Sequence, residues 1–305
     1  EQSLFLFKGI FVRFSIWDLL GEDYTVRKLS FDDGEVNLRV TPEGSVNYIF
    51  WKESEGPDSE TATTIDLENV EINNAKFRYL DEQMNLRVIV LVENLDVSGG
   101  YQNKIFNADV AGKGFLADLT YQDYDLADSL DIVVNGGFST EGGITKINVA
   151  QLLLQEIELA GTGEVRDNFQ RWKITSNKTR LRQWLPIIPK TWRPNIDPAI
   201  LGGDANANFD IVLDDKTQEV IANTLLKDAS LTLKDQNILL QNVNGGIQFR
   251  YANSGKGSVT HLSVNNVAAK TRTGDLQIGL EIENLLAPRV DAAVRFNVQI
   301  EELLT

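Results

Sequence analysis

The sequence predicts an all-β protein, an elongated antiparallel sheet curled into a hydrophobic groove with one or two short helices. Three observations predict it. Apolar residues alternate with polar ones at period two through most of the chain. Glycine- and asparagine-bearing turn signals fall between these runs. No long helical pattern interrupts them.

The alternation is plainest near the C-terminus. Leu276, Ile278, Leu280 and Ile282 share one side of a strand, with Gln277, Gly279 and Glu281 on the other. After a turn at Asn284 to Arg289 come Val290, Ala292, Val294, Phe296, Val298 and Ile300. Such strands are wet on one face and buried on the other, and a short connection favours antiparallel pairing. Val36, Leu38 and Val40 alternate, as do Ala75, Phe77 and Tyr79, and then Leu86, Val88, Val90 and Val92. Ala205, Ala207, Phe209, Ile211 and Leu213 form another set, followed by Ala229, Leu231 and Leu233.

The expected turns are Asp33-Gly34, Pro42 to Gly44, Ser98 to Gly100, Asn135 to Gly137, Glu141 to Gly143 and Asn244 to Gly246. Ile10 to Phe14 and Gln151 to Leu159 are apolar on both faces, which suits strands under another layer or at a dimer contact. Ile16 to Leu20 reads as a short helix capped by Ser15 and closed by Gly21. Lys178 to Pro189 has helical spacing at Leu181, Trp184, Leu185 and Ile188, with Pro186 and Pro189 ending it.

These signals divide the chain into an N-terminal β segment with a short helix (1–51), a flexible acidic loop (52–64) and a middle antiparallel sheet (65–177). A short helix with a Pro-rich cap (178–192) and a C-terminal antiparallel sheet (193–305) follow. Residues 65–305 are expected to form one continuous groove. Asn74 to Leu86 resembles Asp228 to Leu240: each carries Ala, two alternating apolar residues, Asp, a turn and a return strand. Either every such hairpin looks alike, or one hairpin unit is repeated.

Composition narrows the chemistry. The 305 residues carry a formal charge of −15, no Cys and one His. There is no disulfide framework, no thiolate zinc site and no two-histidine metal site. The acidic balance opposes nucleic-acid binding and adhesion to anionic headgroups. No apolar run is long enough for a membrane-spanning helix. Ser3 to Lys8 lacks the length of a signal peptide, so any targeting segment is expected upstream of Glu1. The end at Glu301 to Thr305, directly after a strand, suggests that more protein follows. The lack of Cys mildly favours an extracytoplasmic location.

Few residues nominate catalysis. His261 lies in an alternating strand, without the Gly-x-Ser-x-Gly elbow that would present a nucleophile. Asp123, Asp125, Asp128 and Asp131 cluster, but Asp128 stands where a calcium hand needs Gly. Gly112-x-Gly114 and Gly161-x-Gly163 sit within β patterns, where glycine marks a bulge or bend more often than a phosphate loop. No catalytic residue, metal or cofactor is expected. The segment with Trp184, Leu185, Ile187, Ile188 and Trp192 either plugs one end of a β core or touches lipid.

The order of elements resembles a family. Trp17 to Leu20, Pro42 to Asn47 and Val70 to Asp81 look like the N-terminal region of the AsmA-like proteins of Gram-negative envelopes, relatives of TamB. Arg182 to Pro186, Gly202 to Leu213, Leu226 to Leu233 and Leu240 to Phe249 continue the resemblance. It rests on a loose β pattern and no catalytic signature. The acidic insertion and the missing N-terminal membrane helix depart from it. It implies a trough with an apolar interior, similar to the eukaryotic bridge-like lipid carriers, that conducts phospholipid between membranes. It further implies a periplasmic location and an inner-membrane anchor upstream of this chain.

An apolar sheet face must close on itself, meet a second sheet or hold an apolar ligand. Each methylene is worth about 0.8 kcal/mol, so an acyl chain of roughly sixteen carbons meets a barrier of order ten kcal/mol in water. An apolar trough lowers it without chemistry. The expected lining is Val88, Val90, Phe209, Ile211, Leu276, Ile278, Leu280, Val294, Phe296 and Val298. Two rivals remain. One is a structural or glycan-binding β-solenoid with Asn/Gly turns stacked in a parallel coil, though no fixed period supports it. The other is a carboxylate glycosidase with two close acids in an aromatic-lined polar cleft.

Overall fold

The architecture was taken from a computed structural model. It describes residues 3–14, 25–47, 65–102, 104–121, 124–127, 129–166, 168–187, 201–214, 216–233, 238–254, 257–284 and 287–299. The chain is all-β and divides into two compact units, Glu1–Gln155 and Glu156–Thr305. The short helix expected at 16–20 and the acidic loop 52–64 lie outside the described residues.

The first unit holds β1 (Phe5–Phe14), β2 (Thr25–Val40), β3 (Ile65–Asp81), β4 (Leu86–Gln102), β5 (Ile105–Tyr121), β6 (Tyr124–Ala127), β7 (Leu130–Glu141) and β8 (Ile144–Leu154). Neighbours pair antiparallel as hairpins, with β6 a short flap on β5 and β7 pairing β5 directly. One pair departs from the expectation. β2 and β3 run parallel, Val36 beside Phe77 and Leu38 beside Tyr79. Parallel neighbours need a crossover rather than a tight turn, and residues 41–64 span it.

The second unit holds β9 (Ile157–Arg166), β10 (Phe169–Ser176), β11 (Thr179–Arg180), a 3-10 helix η1 (Leu181–Ile187), β12 (Gly202–Asp214) and β13 (Gln218–Leu233). β14 (Ile238–Asn253), β15 (Ser258–Lys270), β16 (Asp275–Glu283) and β17 (Arg289–Asn297) complete it. Its pairings are all antiparallel, in chain order, with β12 taking both β10 and β11. A stacked parallel solenoid is therefore not what the chain forms. Neither sheet is closed: among the described residues no pairing joins the first strand of a unit to its last.

Several expected turns are strand interiors. Pro42 to Gly44 and Gly142-Gly143 do turn the chain, whereas Asp33-Gly34, Ser98 to Gly100, Asn135 to Gly137 and Asn244 to Gly246 lie within β2, β4, β7 and β14. The physical reason is that left-handed backbone and missing side chains serve bulges and close strand approach as well as turns. Conversely, Gln151 to Leu159 holds the end of β8 and the start of β9, with a turn at Gln155 (φ 55°) between them.

Bulges recur at one level of successive strands. Gly203 (φ 85°), Asp228 (49°), Asn242 (49°) and Asn266 (48°) mark register breaks in β12 to β15. In the first unit Asp33 (56°) and Asn74 (50°) lie side by side in β2 and β3, and the Asn74 amide donates to the Asp33 carboxylate. Asn and Asp tolerate this conformation better than other side chains. Each bulge bends its strand, so a row of them bends the sheet along a line. The residue after four of these positions turns inward: Ala75, Ala229, Val243 and Val267 are buried.

Candidate functional site

The register of the second unit sorts its side chains onto two faces. Across β16 and β17, Leu276 opposes Phe296, Ile278 opposes Val294 and Leu280 opposes Ala292. Across β15 and β16, Val264 meets Leu280 and Leu262 meets Ile282. The row continues through Phe249 and Ala222 to Phe209, and then to Ile174. Residues directly opposite one another share a face. One apolar face therefore runs unbroken from β10 to β17.

The opposite face is mostly polar, with Leu225 and Val259 exposed among its polar residues. Arg250 bonds Glu219, Lys178 bonds Asp204, and Ser263 Oγ donates to Glu281 at 2.7 Å. His261 Nε2 stands 2.6 Å from the other Glu281 oxygen. This grouping has the wrong order for nucleophilic catalysis. A triad needs imidazole between hydroxyl and carboxylate, and here the carboxylate lies between the other two.

The apolar face is closed at one end. Ala205, Leu226, Ala229, Leu240, Val243 and Val267 form a buried cluster where the bulges lie, with Leu181 and Trp184 of η1 packed against it. A helix forms within the span the spacing predicts, but as the 3-10 turn Leu181–Ile187, with Thr179–Arg180 in β11 and Pro186 inside the turn rather than ending it. Trp184 Nε1 donates to Thr179 Oγ1 at 2.6 Å, and Thr179 Oγ1 donates to the Ala205 carbonyl at 2.9 Å. The indole tilts over Phe209 with ring centroids 6.4 Å apart. Leu181 and Trp184 thus plug one end of the β face, while Ile188 and Trp192 of the same segment lie outside the described residues.

Away from the plug the face is not sealed. Phe209, Ile211, Leu276, Ile278 and Leu280 are half-buried. Val294 and Phe296 on β17 are 51% and 58% exposed. Val298 is half-buried just past the end of β17. The structure thus brings Phe209, Ile211, Leu276, Ile278, Leu280, Val294 and Phe296 onto one surface. Val290, read in the same alternation, shares it, as do Trp172, Val220, Phe249 and Leu262, which were not among the expected lining. Their own alternation was the signal that could have found them.

Val88 and Val90 lie in the first unit, on its own apolar face. Val88 opposes Tyr79 and Leu119, and Val90 opposes Phe77 and Leu116. That face has glycines in mid-strand. A Cβ on Gly112 would stand 2.8 Å from the Asn94 carbonyl oxygen, and one on Gly114 2.5 Å from that of Leu91. The backbones approach so closely there that only glycine fits. The other face carries ion pairs, Lys28 with Glu71 and Arg87 with Asp118. A shallow depression there, lined by Lys76, Arg87, Leu91 and Asp118 among others, has its arginine neutralised by Asp118. Edge strand β1 pairs only with β2 among the described residues and leaves Phe5, Leu6, Ile10, Phe11 and Val12 more than half exposed.

Of the acidic cluster, Asp123 and Asp128 lie outside the described residues. Among the described residues no group of three or more His, Asp or Glu converges on a point. No helix among them is long and apolar enough to cross a membrane. Compared with known proteins, the chain matches no family model, no curated protein and no solved structure.

Proposed function

We propose that this chain is a non-catalytic lipid-handling module of an AsmA-like cell-envelope protein. It holds or conducts phospholipid acyl chains along an apolar sheet face in outer-membrane assembly or maintenance. On this reading it resides in the periplasm and belongs to a protein anchored in the inner membrane.

The observation that carries the reading is the unbroken apolar face of β10 to β17, half-buried over its middle and exposed at β17. A face of that extent, left open, costs free energy in water at roughly 25 cal/mol per Å² of apolar surface. An acyl chain offsets that cost with interchangeable aliphatic contacts, and the face supplies them. The bulge rows and mid-strand glycines support a curved rather than flat face. The polar opposite face and the charge of −15 keep the outside wettable.

Native mass spectrometry of the purified chain, with lipid extraction, tests the reading. Co-purifying phospholipid that detergent displaces is the expected result. Lipid-free protein that binds oligosaccharide would replace the reading with a glycan-binding one.

A further inference from the structure

We infer that Trp184 is the stop at the closed end of the apolar face in the second unit, and that it sets how long an acyl chain the face accepts. The inference rests on the lipid-handling reading and names the residue that gives it selectivity.

The geometry is that of a fixed end wall. Four consecutive strands, β12 to β15, bulge at Gly203, Asp228, Asn242 and Asn266. The buried cluster of Ala205, Leu226, Ala229, Leu240 and Val243 straddles that line and fills the face there. Before it, Phe209 and Ile211 remain half-buried. Trp184 sits at the boundary, against the cluster on one side and Phe209 on the other. Along β12 the order is therefore Ile211, Phe209, then the indole.

A hydrophobic stop must itself be held in place, or the chain end would push it aside. Trp184 is held by its ring nitrogen, which donates to Thr179, and Thr179 is tied to the Ala205 carbonyl. That hydroxyl is buried, where losing either partner is costly. The 3-10 turn adds stiffness, because Leu181 packs on the same cluster. Each methylene laid on the open face adds binding, about fourfold in affinity per carbon. A methylene that reaches the indole finds no room and adds none.

The test uses the full chain and a homologous series of saturated fatty acids, some brominated at mid-chain or at the terminal carbon. In the native protein, affinity should rise about fourfold per added carbon and then level off. In Trp184→Ala the rise should continue past that length. Trp172 shares the apolar face and is quenched in both proteins, so the signal read is the quenching lost in Trp184→Phe, which keeps a ring on Phe209 and so guards against a folding defect. That lost part should be larger for terminal than for mid-chain bromine. If Trp184→Ala levels off at the native length, or Trp184→Phe leaves the quenching pattern unchanged, Trp184 is not the stop, while chain binding itself stands. If the native chain binds no fatty acid saturably, both the stop and the lipid reading fall.

Discussion

Asn74 and Asp228 hold the same backbone position in two different strands: each sits at a φ near 50° (50° and 49°) and is followed by a buried alanine, Ala75 or Ala229. The likeness of the two stretches is thus more than a shared hairpin pattern. Both hold a left-handed residue in mid-strand, turn a small residue inward, and return through an antiparallel strand.

Replacing Asn74 or Asp228 tests that position. Valine at either site should cost roughly 1–2 kcal/mol, because a β-branched residue resists left-handed backbone. Glycine should be near neutral. Urea unfolding of the paired variants reads the difference, and equal effects of valine and glycine would contradict the left-handed backbone at these positions.

Mid-strand glycine is tested at Gly112. Gly112→Val forces a Cβ toward the Asn94 carbonyl and should destabilise by roughly 1–3 kcal/mol. Gly246→Ala serves as the comparison, since nothing lies within 4 Å of its Cβ position. It should change stability by no more than about 0.5 kcal/mol.

Thr179→Val removes the hydroxyl joining Trp184 to the Ala205 carbonyl while keeping the side-chain shape. It should cost about 1–3 kcal/mol, since two partners lose their bond. A red shift of tryptophan emission, read beside the unfolding curve, would report release of the indole.

The two faces of β17 should behave differently on substitution. Val294→Asp and Phe296→Asp alter exposed residues and should move stability by less than about 1 kcal/mol. They should nevertheless reduce retained lipid severalfold. Arg295→Ala, on the opposite face beside Gln277, should leave both unchanged. Equal lipid loss in all three would remove the apolar face from the account.

Much of this fold is legible in side-chain alternation. Leu276 to Ile282 and Val290 to Phe296 announce their face because period two survives without interruption. The bulges are harder to read. Asn244-Gly245-Gly246 looks like a turn because a turn and a bulge ask for the same conformational freedom, and only the pairing of β14 with β13 and β15 tells them apart. The parallel partnership of β2 and β3 is invisible for another reason: alternation fixes a face, not a neighbour. The bond from Trp184 to Thr179 depends on how η1 folds back on β12, which no spacing encodes. Alternation likewise cannot say whether a face is sealed. That depends on what covers it, as the contrast between buried Ala229 and exposed Phe296 shows.

Photo-crosslinking tests the central claim most directly. Benzoyl-phenylalanine is placed at Ile278 or Phe296 on the apolar face, and at Gln277 or Arg295 on the polar face. Irradiation in cells should give phospholipid adducts at Ile278 and Phe296 and none at Gln277 and Arg295. Adducts of equal yield on both faces, or none on either, would contradict it.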